Sequence, residues 1–461
     1  MFKNSKEIKK IVVLAFAAAL IFSGCSVESK GSDSEPESVS DTDDSKTGEE
    51  DSEKNEAEKS IKLGDLPVGF AGLGTNYVTS GTKVEVSTRD ELIEAVSGGN
   101  KIIVITSMID MSDGMLPAEG KTLLASTQAL NAFVKSLKPN YENYKAWVDA
   151  YRQACTKTTE DKGKNASTNS GLYDDLWALN KAYGKKNCLE IKSGTTLIGK
   201  TQDCGIRGGS ILVKGDNIQI RNLTIKDACD PFPHHEQKDS NTSDGYNAQW
   251  DGITIDGNKN IWIDHCTFED TLSLETVKTG TTDTLDEKWQ TYDGLCDIKG
   301  NATNITVSNC IFKNHDKTML IGSSDSDGDN SKRFVTLYGN YFLNCVQRLP
   351  MVRNTTIHIF NNYYDSSNPA YSNSYAIGRR KNCIVYAENN YFGSGIKYSI
   401  KETNGELHSS GNKDLSKNGA TSETDDEVFS SLNKYKYTAL SASDAKTSVL
   451  ATAGAGCTLA D

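Results

Sequence analysis

The sequence predicts a parallel β-helix, a coil of short strands stacked into a solenoid, and three observations carry that expectation. From Leu189 onward, short β-branched and aromatic runs recur, among them "DGITIDGNKNIWIDHCTF", "NATNITVSNCIF", "KRFVTLYGNYF", "TTIHIFNNYY" and "KNCIVYAENNYF". Each run alternates briefly, meets Asn or Gly, and restarts. Equivalent aromatic positions then fall at Phe268, Phe312, Phe342, Tyr364 and Phe392, with spacings of 44, 30, 22 and 28. A shortest period of 22 with insertions always in one place is what coils with variable loops produce. Finally, asparagines recur just before these positions, at Asn309, Asn340, Asn362 and Asn390, where a stacked amide ladder would satisfy turn backbone groups. A jelly roll or sandwich would leave this shared grammar accidental.

Taken from the N-terminus, "MFKNSKEIKK" is a positive leader segment, "IVVLAFAAALIF" is apolar but short for a membrane span, and "SGC" ends at Cys25. This resembles a bacterial lipoprotein signal over 1–25, in which Cys25 would be lipidated and anchor the chain in a membrane. A plain secretory signal is the alternative, and either one exports the chain, to the cell surface or beyond. Residues 26–60 hold 13 acidic and 4 basic residues with almost nothing apolar, so they read as a disordered acidic linker. That linker accounts for most of the formal net charge of −12, and no basic block suggests nucleic acid. The β-helix domain is expected over 61–461.

Two stretches depart from the strand pattern. "STRDELIEAVSGGN", 87–100, reads as a capped amphipathic helix that would cover the N-terminal end of the stack. Residues 111–187 contain "NAFVKSLKPNYENYKAWVDAYRQAC" and "GLYDDLWALNKAYGKK", which read as an inserted helical lobe whose aromatic residues serve packing. The last sixty residues lose periodicity and are expected to wrap or cap the coil. Of eleven cysteines, ten remain if Cys25 is lipidated. Their spacing leaves disulfides and buried free thiols equally open, and no cysteine–histidine cluster supports zinc.

Candidate chemistry gathers on consecutive coils. "AQWDGITI" offers Asp251, "TYDGLCDIKG" offers Asp293 and Asp297, "KNHDKTMLIGSSD" offers Lys317, and "NCVQRLPMVR" offers Arg348 and Arg353. A solenoid superimposes such positions on one face, which brings three carboxylates beside three cations. Oxygen ligands without thiolates favour a hard cation such as Ca²⁺.

"IWIDHCTF", "DGLCDIKG", "HDKTMLIGSSD" and "QRLPMVR", in this order and spacing, resemble the pectate lyases of polysaccharide lyase family 1, from about residue 65 to residue 392. The resemblance implies a right-handed, single-stranded parallel β-helix acting as a monomer. It also implies Ca²⁺-dependent β-elimination of α-1,4-linked polygalacturonate, giving 4,5-unsaturated oligogalacturonides. By position, Asp251, Asp293 and Asp297 match the metal ligands, Lys317 and Arg353 the substrate-binding cations, and Arg348 the Brønsted base. Where some relatives carry a further acid, this chain has Gln249. Asp264 and His265 are expected to be structural.

The chemistry suits these residue types. The proton α to the galacturonate carboxylate is weakly acidic until negative charge on that carboxylate is stabilised. An arginine base, with an ordinary pKa above 12, implies an alkaline optimum. Two rivals remain at this level. A Ca²⁺-independent pectin lyase would not need the aspartates, and a non-catalytic pectin-binding surface protein would not need intact motifs.

Overall fold

Ile261, Ile263, Ile305, Val307, Val335, Leu337, Ile357 and Ile359 alternate with Trp262, Thr306, Thr336 and His358 and are all fully buried in one core. Alternation with period two turns one face of each short strand into that core, and the strand ends where the chain must bend around it. Each full coil therefore supplies one strand to each of three parallel sheets. The computed structural model describes residues 59–74, 76–155, 171–237, 243–280, 285–401, 404–419 and 434–460; the signal and the linker up to residue 58 lie outside the described residues. A ten-stranded sheet begins at Lys83–Val86 and ends at Glu406–Ser410. A nine-stranded sheet runs from Met108–Asp110 to Lys413–Asp414, and an eight-stranded one from Cys188–Ile191 to Ile400–Lys401. Neighbours along them pair in parallel register, as in Phe312↔Phe342 and Ile305↔Val335. The fold is the parallel β-helix expected from the sequence.

The aromatic positions form an internal column. Phe268 stacks on Phe312 at 4.8 Å between ring centroids, Phe312 on Phe342 at 5.1 Å, Phe342 on Tyr364 at 4.9 Å, and Tyr364 on Phe392 at 4.7 Å. These distances repeat the strand spacing, so each ring packs on its counterpart one coil away.

The asparagine ladder exists but is shifted from the expected set. Asn340 Nδ2 donates to Asn362 Oδ1 at 2.9 Å, Asn362 to Asn390 at 3.0 Å, and Asn390 to Asn412 at 3.0 Å. Asn309 is not a rung. It occupies the preceding turn position with φ 50°, as Asn361 and Asn389 do in later coils, and its amide donates to Asp264 instead. Asn tolerates this left-handed conformation because its short amide can satisfy local backbone groups. The rung position in that coil is Cys310, whose N–H donates to Asn340 Oδ1 at 2.9 Å.

At the N-terminal end, the helix Arg89–Val96 begins with a capping box between Thr88 and Glu91 and buries Leu92, Ala95 and Val96 against the first strands. Among the described residues of 111–187, the α-helices Gln128–Leu137, Tyr144–Ala154 and Leu172–Asn187 contribute to a second apolar cluster. Trp147 stacks on Tyr151 at 5.3 Å, and Trp289 Nε1 donates to Tyr144 Oη at 3.0 Å, so these aromatics serve packing. The C-terminal segment wraps back along the coil. The helix Ala442–Thr452 packs on Tyr363, and Thr458–Ala460 pairs with Ser60–Lys62. Nine of the ten described cysteines are buried, Cys188 being partly exposed.

Asn362→Ala is expected to destabilise the protein by about 3 kcal/mol in urea unfolding. It strands the buried amide N–H of Asn340 together with the carbonyls of Leu337 and Phe360.

Candidate active site

The site is built on the outer face of the eight-stranded sheet. Parallel register sets Thr254 beside Asp297, and Leu320 beside Met351, one coil after another. Side chains alternate across a strand, so Asp297 and Lys299 share this outer face. Asp251 lies just before its strand and is buried. Its Oδ1 accepts from Gly294 N at 3.0 Å, and its Oδ2 accepts from Thr254 Oγ1 at 2.7 Å and Lys299 Nζ at 2.8 Å. Asp297, also buried, accepts from Leu320 N at 2.9 Å and lies 3.2 Å from the same ammonium.

Burial and the neighbouring Asp251 push the Asp297 carboxyl well above the usual range. Burial alone would lower the pKa of Lys299, but Asp297 and Asp251 raise it well above its ordinary value. Gly294 sits between the two acids. A Cβ there would lie 2.8 Å from Asp251 Oδ1 and closer still to Asp297 Oδ1, so only glycine leaves this cradle open.

Asp293 faces the other way, its Oδ1 accepting from Lys317 Nζ at 2.7 Å, while that ammonium also donates to Asn247 Oδ1 at 2.5 Å. The backbone of Asp293 is fixed by a buried histidine. His315 Nε2 donates to the Asp293 carbonyl at 2.7 Å, and Nδ1 meets Asp270 Oδ2 at 2.6 Å. Burial would lower the pKa of His315, and the adjacent Asp270 overrides it upward.

Arg348 ends the strand Tyr341–Gln347 with φ 62°, an uncommon conformation for a residue with a Cβ, and precedes the cis bond Leu349–Pro350. Its carbonyl accepts from Met319 N at 2.8 Å, and its Nε is enclosed with no acceptor among the described residues. Arg353 is engaged instead, Nε donating to Asp325 at 3.2 Å and Nη1 to the Gly322 carbonyl at 3.1 Å.

Asp293, Lys317 and Arg348 line one cavity of about 720 Å³, walled by the hairpin strands Ser243–Asn247 and Leu285–Lys288. Asp251 and Asp297 are brought together beside it, while Arg353 is held away by Asp325. Among the described residues, no three His, Cys, Asp or Glu side chains gather in ligating geometry, because Lys299 bridges two of the acids and Lys317 holds the third. The donor set nonetheless suits a hard cation. It is oxygen-only, it crowds two buried carboxylates around Gly294, and among the described residues the cations paired with its three acids are Lys299 and Lys317.

Sequence reasoning missed Lys299, Asn247 and the positioning pair His315–Asp270. Lys299 was available from strand alternation in "CDIK". Asn247 arrives on a hairpin that no periodicity announces. Gln249 is exposed and gives its backbone N–H to buried Asp230, whose carboxyl burial pushes up to about 7. Asp264 and His265 lie at the turn out of the ten-stranded sheet, away from this site. Asp264 takes Arg221, Ser308 and Asn309, and Arg221 covers the Trp262 ring at 4.1 Å.

His315→Ala is expected to cost about 3 kcal/mol in urea unfolding, because Asp270 is left buried and unpaired. The double variant His315→Ala/Asp270→Ala should recover part of that loss.

A family model described as pectate lyase matches residues 156–458. A pectate lyase from Bacillus subtilis is 33% identical over 327 residues, covering 69% of this chain and 72% of that one. A pectate lyase structure titled for substrate specificity and the anti β-elimination mechanism superposes with TM-score 0.67 at 27% identity, covering 86% of this chain and 99% of the other. A pectate lyase bound to a hexasaccharide gives TM-score 0.63 at 26% identity, covering 86% and 98%. Family match, solenoid and groove agree: this chain belongs to the pectate lyases, a family of polysaccharide lyases.

Proposed function

We propose that this lyase cleaves α-1,4-linked polygalacturonate by Ca²⁺-dependent β-elimination, with Arg348 as the base. The observation that carries the reading is the state of Arg348: a guanidinium with its Nε enclosed and no acceptor among the described residues, in one cavity with Lys317 and Asp293. A carboxylate partner would hold the proton on the guanidinium and oppose its use as a base.

In the reaction, Arg348 takes the C5 proton of a galacturonate. The C5 electron pair becomes the C4–C5 double bond, the C4–O bond breaks, and the departing oxygen gains a proton from solvent. Lys317 would receive the substrate carboxylate, exchanging its contact with Asp293 for one with substrate. Arg353 would add a second grip on leaving the exposed carboxylate of Asp325. Asp251, Asp293 and Asp297 would hold Ca²⁺, which when bound draws charge from the substrate carboxylate and so acidifies the α proton. Lys299 keeps Asp251 and Asp297 together in the meantime. The neutral fraction of any guanidine grows with pH, so activity should rise into the alkaline range. The leader over 1–25 supports export, and an anchor at Cys25 would keep the reaction at the cell surface, a plain secretory leader releasing it instead.

With polygalacturonate, absorbance of the 4,5-unsaturated product should rise with Ca²⁺ and stop with EGTA. Arg348→Ala should lower kcat by about a thousandfold. Turnover indifferent to EGTA would overturn the metal assignment, and a flat profile between about pH 7 and 10 would remove Arg348 as the base.

A further inference from the structure

A second cavity, of about 730 Å³, opens on the same sheet face toward the N-terminal coils. Glu190, Leu212 and Thr254 contribute to its lining and stand in one register column, Glu190↔Leu212↔Thr254. Thr254 continues that column to Asp297 and donates to Asp251, so the lining is continuous with the catalytic row. At strand spacings of about 4.8 Å, the column from Asp297 to Glu190 spans roughly 14 Å. The helix Leu172–Asn187 forms the opposite wall with Lys181, Gly184 and Lys185.

Two features of this wall bear on what it could hold. Trp250, next to Asp251 in the chain, lies half-buried against Gly184. A Cβ at 184 would come within 2.6 Å of its ring. Glycine inside a helix is about 1 kcal/mol worse than alanine, and here it lets the indole lie along the helix, near-parallel to Tyr183 at 20°. The indole Nε1 is enclosed with no acceptor among the described residues. Lys181 and Lys185, exposed and one helical turn apart, have no acidic partner among the described residues, whereas Lys186 pairs with Asp113 and Lys192 with Glu190. Like charges four residues apart weaken a helix.

We propose that this cavity is an accessory subsite for the stretch of polygalacturonate flanking the bond being cleaved, a proposal that rests on the lyase reading above. A uronate ring lies against Trp250 by its apolar face, and carboxylates of successive residues pair with Lys181 and Lys185. A polyanion with apolar ring faces matches this combination of aromatic surface and unpaired cations. Binding remote from the reacting bond acts equally on ground and transition states, so its signature is KM rather than kcat.

The test compares the polymer with trigalacturonate, which is too short to fill both cavities, in the full protein and in K181E/K185E. The expected result is a polymer KM raised about tenfold with kcat retained, and trigalacturonate kinetics unchanged. Trp250→Leu should raise polymer KM about fivefold and Trp250→Phe should restore most of it. Equal effects on both substrates, or none on either, would overturn the subsite. If the unaltered protein released no unsaturated product, the lyase reading would fail, and retardation in a polygalacturonate gel would decide the subsite separately. Retardation weakened by K181E/K185E would support it, and unchanged retardation would overturn it.

Discussion

Strand pairing at one fixed spacing turns every position within a coil into a column running along the molecule. The rings from Phe268 to Phe392 are the buried form of such a column, and the amides from Asn340 to Asn412 are its polar form at a turn. The outer row through Glu190, Leu212, Thr254 and Asp297 obeys the same rule on the face turned away from that core. An insertion of any length can leave between two strands without disturbing the columns. The helical lobe and the two hairpins therefore wall the catalytic face while the coil itself stays regular.

Charge is the second constraint, and it follows from the first. Register forces Asp251 and Asp297 into proximity in a buried place, where two carboxylates repel and each loses hydration. Lys299, two residues from Asp297 on the same face, lowers that cost and is itself held charged by the acids. Asp293 is kept apart by a separate device, with His315 and Asp270 gripping its carbonyl while Lys317 takes its carboxylate. The acids are thus poised near one another through lysine bridges rather than packed as a finished cage.

Legibility in the sequence tracks how local each determinant is. The coil, its aromatic column and the helix after Thr88 were readable because spacing and capping chemistry are written in neighbouring residues. Asn309 was misplaced by one step because "SNC" and "FNNY" look alike, while backbone φ decides which asparagine turns and which one ladders. Asn247 and Asp270 were invisible as site residues: they reach Lys317 and His315 across 70 and 45 residues. The cysteines gave no pairing by spacing, and their burial is a packing outcome no spacing encodes.

Arg348 and Arg353 draw these strands together. They are the same residue type, five positions apart, and composition cannot separate them. The backbone can. Arg348 leaves its strand in a left-handed conformation, with its carbonyl tied to Met319 and its Nε enclosed in the groove. Arg353 follows the next short strand and reaches the exposed loop of Asp325 and Gly322. An arginine already paired to a carboxylate can exchange that partner for a substrate carboxylate at little electrostatic cost, which suits a grip. An arginine without one has no anion holding its proton, which suits a base. The proposed division of labour would therefore follow from where the strand ends, and the strand ends where the column of coils requires it.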